Sequence, residues 1–258
     1  MLLTIDIGNS NVVIGCLNKD NETQCLLRMV TDLKKTEDEY AAGMQTILQH
    51  NGIDCHGFEG AIICSVVPPL TEIFHIAVEK IIGCDALVVG AGIKTGLNIM
   101  IENPATLGSD IVAASVAAMA EFPQPVIVID MGTATTMSVL DKNGAHIGGC
   151  IIPGVRISMD ALTDRTALLP GLQLDQPKRA IGRNTIDAMR SGIMMGTACM
   201  LDGMVERMEQ ELGYKTTVVA TGGIAKFIVP LCKTPMIYDQ DLLIKGLAAL
   251  YRDNTKKK

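Results

Sequence analysis

The sequence contains no tryptophan and only four tyrosines and four phenylalanines, which leaves few of the aromatic faces on which proteins stack nucleic-acid bases. It also lacks a basic surplus: 22 Lys and Arg against 28 Asp and Glu give a net charge of −6, the opposite of a nucleic-acid binder's footprint. No apolar run approaches the roughly 18 residues of a membrane-spanning helix. The opening Met1-Leu2-Leu3-Thr4-Ile5-Asp6 carries no basic leader before its apolar residues. The eight cysteines, at 16, 25, 55, 64, 84, 150, 199 and 232, include no C-x-x-C pair and none of the short spacings of a zinc site, so reduced, buried thiols are expected. The closing Lys256-Lys257-Lys258 follows polar residues and reads as a solvated tail. These exclusions point to a cytoplasmic protein with a small-molecule partner, no nucleic acid and no membrane. At 258 residues the chain is long enough for two domains, each with its own core.

What the sequence does contain is a repeat. An apolar stretch at residues 2–5 runs into Asp6-Ile7-Gly8-Asn9-Ser10-Asn11 and then a second apolar stretch at 12–17. The same order recurs at 126–129, Asp130-Met131-Gly132-Thr133-Ala134-Thr135 and 136–140. A β-hairpin tipped by Asp-x-Gly at the start of each half implies duplicated domains, at residues 1–121 and 122–258. Around the hairpins, strands alternate with helices. Thr36-Glu37-Asp38-Glu39 is a capping box opening a helix; Pro68-Pro69 ends a strand and precedes another helix; further helices are expected over 109–121 and 184–212, the latter closed by Gly213. Met189, Ile193, Met200, Met204 and Met208 fall near one face of that long helix and are expected to be mainly core, with part available for a dimer contact.

The tips have the chemistry of phosphate handling. A nucleoside triphosphate requires close backbone N–H donors, a divalent cation and a carboxylate that holds the cation through water. Gly8 permits the close approach, Asn9, Ser10 and Asn11 add neutral donors, and Asp6 at a strand end can orient hydrated Mg²⁺. D-x-G-N is also a common hairpin turn; its repetition is what favours a nucleotide gripped by both tips. A third piece, Thr221-Gly222-Gly223, follows an apolar strand, where bare backbone can accept a flat adenine or ribose and a helix start can face phosphate. A tight packing corner would use the same glycines.

With these motifs in order, the chain resembles the type III pantothenate kinases of the acetate and sugar kinase/actin superfamily. The likeness extends to Ser65-Val66-Val67-Pro68, Glu102-Asn103-Pro104 leading to Gly108-Ser109-Asp110, Gly148-Gly149 with Pro153-Gly154, Leu168-Leu169-Pro170 and Ile181-Gly182-Arg183-Asn184-Thr185. The resemblance implies an α/β fold of two ribonuclease H-like domains, mixed sheets flanked by helices. It implies ATP bound by Asp6, Ile7, Gly8, Asn9, Ser10, Asn11, Val12, Val13, Thr133, Gly222 and Gly223, with Mg²⁺ held through water at Asp6 and a monovalent cation, K⁺ or NH₄⁺, at Asp130. It implies a homodimer with a shared pantothenate site formed by Ile101, Gly108, Ser109, Asp110, Ile111 and Thr185, and Asp110 as catalytic base. The helix dipole favours the charged form of Asp110 at its position in the first turn, as it would for any capping carboxylate. Two positions depart from the family pattern: Ile111 stands where an Arg is usual, and Ile101 where a Tyr is usual. They leave open a nucleotide-binding regulator without turnover and a kinase of another small alcohol.

Overall fold

A computed structural model describes residues 1–256; the last two lysines of the expected tail lie outside the described residues. In chain order the first elements are β1 (Leu2–Ile7), β2 (Asn11–Leu17), β3 (Thr23–Val30), α1 (Glu37–His50), β4 (Gly60–Ser65), α2 (Pro68–Ile82), β5 (Ala86–Val88) and α3 (Ser109–Glu121). Then come β6 (Val126–Met131), β7 (Ala134–Leu140), β8 (His146–Pro153), α4 (Val155–Asp164), α5 (Thr185–Leu212), β9 (Thr217–Thr221), α6 (Ala225–Ile228), β10 (Ile237–Tyr238) and α7 (Leu242–Thr255).

Local chemistry sets the boundaries. At α1 the Thr36 N–H donates to Glu39 Oε2 at 2.9 Å and the Glu39 N–H donates back to Thr36 Oγ1 at 3.3 Å, the reciprocal cap read from the sequence. Gly83 and Gly213 end α2 and α5 at φ 71° and 75°, a left-handed conformation that only glycine adopts without penalty.

Two five-stranded sheets result, ordered β3-β2-β1-β4-β5 and β10-β9-β6-β7-β8. Each begins with three antiparallel strands in sequence, and each continues from its first strand into parallel neighbours. The repeat therefore extends from the motif to the topology. Register carries it further: Asp6 pairs with Val13 on one side and Cys64 on the other, and Asp130 pairs with Thr136 and Thr221.

The chain forms two compact units that do not follow a linear cut at 121/122. The first comprises Met1–Leu97, Glu102–Ala120 and the segment from Asp241; the second comprises Asn98–Ile101 and Glu121–Gln240. Helix α7 is thus part of the first unit. Its Gly246 lies where any Cβ would strike the Ala113 backbone of α3, and its Ile244 covers Gly15 of β2. The apolar periodicity of α7 predicts a helix but does not say which sheet it covers.

The stripe on α5 is also different from the one expected. Met189 is buried, but the continuous core row is Met194, Ala198, Leu201 and Val205, while Ile193, Met204 and Met208 pack at its margin and Met200 is likewise only partly buried.

Candidate active site

In the first unit the β1–β2 hairpin turns between Gly8 and Asn11, whose backbone bond, Gly8 N–H to Asn11 O, measures 3.0 Å. Asn9, Ser10 and Asn11 are exposed at the tip. Thr31 braces it: its hydroxyl donates to Gly8 O at 2.6 Å and its N–H donates to Ser10 O at 3.2 Å. Its contact with the loop depends on β3 returning alongside β2. Thr31→Val should preserve size, remove the 2.6 Å bond and raise KM for ATP by roughly two- to tenfold, measured by steady-state kinetics; an unchanged KM would show that the tip holds its shape without the brace.

Behind the tip, parallel pairing of β1 and β4 sets Cys64 beside Asp6. The Cys64 thiol donates to Ser109 Oγ at 3.1 Å and lies within hydrogen-bond reach of the Asp6 carboxylate. Ser109 in turn donates to Ser65 O at 3.0 Å. Burial, followed by the negative charge of Asp6, pushes the Cys64 thiol well up, so it remains a neutral donor. The Asp110 charge is also felt there. One short network therefore joins β1, the end of β4 and the start of α3. It brings Asp6 to the Ser109-Asp110 pair, far away in sequence, and adds Cys64, read from the sequence only as a buried thiol, and Ser65, read only as part of the Ser65-Val66-Val67-Pro68 match.

Asp110 Oδ1 accepts the Ile111 N–H at 2.8 Å. Its carboxyl is nevertheless raised above the ordinary aspartate range, because burial outweighs these backbone bonds. The sequence shows the helix start but not this burial, and the result is a stronger base than a solvated capping Asp. A Cβ on Gly108 would run into Asp110 Oδ1, which accounts for glycine at this place. Ile111 is half-buried in this unit, and Ile101 is half-buried in the second.

In the second unit, the matched tip closes with Gly132 N–H donating to Ala134 O at 3.0 Å. Two glycines from distant segments pack on it. A Cβ at residue 154 would strike the Gly132 and Thr133 carbonyls, and one at residue 222 would meet Met131 O at 2.6 Å and Asp130 Oδ1 at 2.7 Å. Asp130, Thr133 and Gly222 are thus neighbours. The helix after Gly223 is only Ala225–Ile228, running into a 3-10 turn, too short for the phosphate-facing dipole anticipated from sequence. Thr185 is exposed at the start of α5, where Asn184 caps the helix by accepting the Asp187 N–H at 2.9 Å. The preceding loop is held by Ser191 Oγ donating to Ala180 O at 2.6 Å.

Among the described residues no three His, Cys, Asp or Glu side chains converge as a metal cage. A single carboxylate beside a backbone-rich tip instead fits a divalent ion that takes most of its oxygens from phosphate and water. Asp130 Oδ1 and the Met131 carbonyl both face Gly222, and oxygen atoms are the donors a monovalent cation would take there. Among the described residues no helix is long and apolar enough to cross a membrane.

Comparison with known proteins places the chain in a family. The chain is 40% identical over 255 residues to the type III pantothenate kinase of Moorella thermoacetica, covering 99% of this chain and 100% of the relative. It is 43% identical over 254 residues to that of Brevibacillus brevis, covering 98% and 99%. In fold it is similar to a ROK hexokinase from Thermus thermophilus, with a TM-score of 0.52 at 12% identity, covering 98% of this chain and 99% of that one. The fold is accordingly that of the actin-like sugar kinases. The family model for type III pantothenate kinase matches residues 2–207, and the chain belongs to the type III pantothenate kinase family.

Proposed function

We propose that this chain transfers the terminal phosphoryl group of ATP to the hydroxyl of pantothenate, giving 4′-phosphopantothenate at the first step of coenzyme A biosynthesis. The observation that carries this reading is the cluster of Asp6, Cys64, Ser109 and Asp110, in which Cys64 joins the tip carboxylate to Ser109 and also feels the charge of the buried, base-strengthened Asp110 beside it. Phosphoryl transfer passes through a loose transition state, so positioning and charge stabilisation supply most of the acceleration and the alcohol proton leaves late. Asp110 receives that proton. Gly108, Ser109 and Ile111 shape the alcohol's surroundings, with Ile101 as a further contact.

The tip from Asp6 to Val13 binds the phosphates through backbone N–H groups and the side chains of Asn9, Ser10 and Asn11. Thr133, Gly222 and Gly223 hold the remainder of the nucleotide. Mg²⁺, when bound with ATP, neutralises phosphate charge; Asp6 is the residue that orients it, through water. Asp130 binds K⁺ or NH₄⁺. The enzyme works in the cytoplasm as a homodimer, with Thr185 of the partner subunit reaching pantothenate. Leu168 and Ile181, exposed at 89% and 80%, support a partner-covered surface in the segment before α5.

Purified protein incubated with ATP, Mg²⁺, K⁺ and pantothenate should yield phosphopantothenate, with activity lost when Na⁺ replaces K⁺. Tight ATP binding without product would instead favour a nucleotide-binding regulator. The apolar, half-buried Ile101 and Ile111 favour a second reading, a kinase of a less polar alcohol, which a panel of primary alcohols would detect. Ile111→Arg separates the two. A charge-assisted hydrogen bond contributes roughly 1.5–3 kcal/mol, so the variant should lower KM for pantothenate about tenfold or more. An unchanged or higher KM would remove residue 111 from the pantothenate site.

A further inference from the structure

Cys16 and Cys25 are directly opposite one another across the antiparallel pair β2 and β3, at the last regular step before the register shifts between Cys16 and Leu17. Residues directly opposite in such a ladder have Cα atoms about 4.5–5.5 Å apart, within the roughly 4.4–6.8 Å span that a disulfide bridges. Both side chains point to the same face of the sheet, because paired residues do so, and both pack on the first unit's apolar core. The two thiols are close enough for each to shift the titration of the other. Their exposures differ in a useful way: Cys16 is fully buried, whereas Cys25 is partly open on the edge strand.

We propose that Cys25 and Cys16 form an oxidisable dithiol, a modification site in which Cys25 reacts with hydrogen peroxide and Cys16 closes the disulfide. The Cys25 thiolate attacks one peroxide oxygen. The O–O bond breaks, the other oxygen leaves as water after taking the thiol's proton, and Cys25 becomes a sulfenic acid. Cys16 Sγ then attacks that sulfur; the S–O bond breaks, the S–S bond forms, and the departing hydroxide takes the Cys16 proton to leave as a second water. Two electrons pass from the thiol pair to the peroxide. A thiol reductant reverses the change by exchange.

The electrostatics agree with these roles. The neighbouring Cys16 thiol lowers the Cys25 thiol to about 7, while the proximity of Cys25 and then burial push Cys16 up. The more accessible sulfur is therefore the one that ionises near neutral pH, and the thiolate is the nucleophile. Cys16 has one rival partner, Cys55, which is buried on the 3-10 turn Cys55–Gly57 and close enough to influence the Cys16 thiol.

The full chain should be treated with hydrogen peroxide, denatured, alkylated and mapped by mass spectrometry without reduction. Trypsin cuts after Lys19 and Arg28, so the expected disulfide joins peptide 1–19 to peptide 20–28, with two hydrogens lost, and disappears with dithiothreitol. In Cys16→Ser the Cys25 sulfenic acid should persist and be captured by dimedone. Full alkylation of Cys16 and Cys25 after peroxide, with exposed Cys199 alone oxidised, would overturn the proposal, as would a link from Cys16 to Cys55. The map of the unmodified sequence decides the matter even if the serine variant fails to fold.

Discussion

Asp110→Asn is expected to lower kcat by about 10²–10⁴, the usual contribution of a positioned general base, while leaving ATP affinity within about twofold. The substitution is a sharp test because it spares the fold. Oδ1 of the amide can still accept the Ile111 N–H, the bond that Asp110 makes at 2.8 Å, so the start of α3 keeps its cap. What is lost is the ability to take a proton. The raised pKa of Asp110, caused first by burial, adds a pH signature. A base must be deprotonated to act, so kcat/KM of the native enzyme should fall as pH drops through an apparent pKa above the ordinary aspartate range. In Asp110→Asn the residual rate should lose that acidic limb. Equal activity in the variant, or an unchanged profile, would remove Asp110 as the base and leave it a helix cap.

Gly222→Ala tests the second unit, and here the expected loss has a structural origin. Gly222 has φ +91°, and an added Cβ would sit 2.6 Å from Met131 O and 2.7 Å from Asp130 Oδ1. Neither backbone conformation nor space admits a side chain. Relief requires the end of β9 to withdraw from the β6–β7 tip or the Asp130 carboxylate to turn away. The combined penalty is about 1–3 kcal/mol, which thermal denaturation should register as a Tm several degrees lower. If Asp130 holds the activating cation, the K⁺ concentration giving half-maximal activity should also rise several-fold. A variant with native Tm and native K⁺ response would mean that the Thr-Gly-Gly turn is not packed on the tip.

The two tests probe motifs that were legible to different degrees. The Asp-x-Gly tips stood out because each is a short, local pattern repeated in the same setting, and the topology repeats with them. Asp110 could be picked out by its place in Gly108-Ser109-Asp110, but its basicity could not, since the sequence shows the helix start and not the burial. The double glycine admitted two interpretations. The close contact with Met131 and Asp130 shows that packing is one reason for Gly222, whatever nucleotide role it also has. Cys64 gave no local signal at all.

The sequence by itself determined the order of strands and helices, their caps and stops, the twin carboxylate tips and the family likeness, because turn chemistry, apolar periodicity and contiguous motifs act over a few residues. Only the tertiary structure decided that α7 joins the first unit, that Cys64 ties Asp6 to Ser109 at the start of α3, and that Cys16 opposes Cys25. Those facts depend on strand register and helix packing between segments separated by tens to hundreds of residues, and on the burial that such packing imposes on a carboxyl or a thiol.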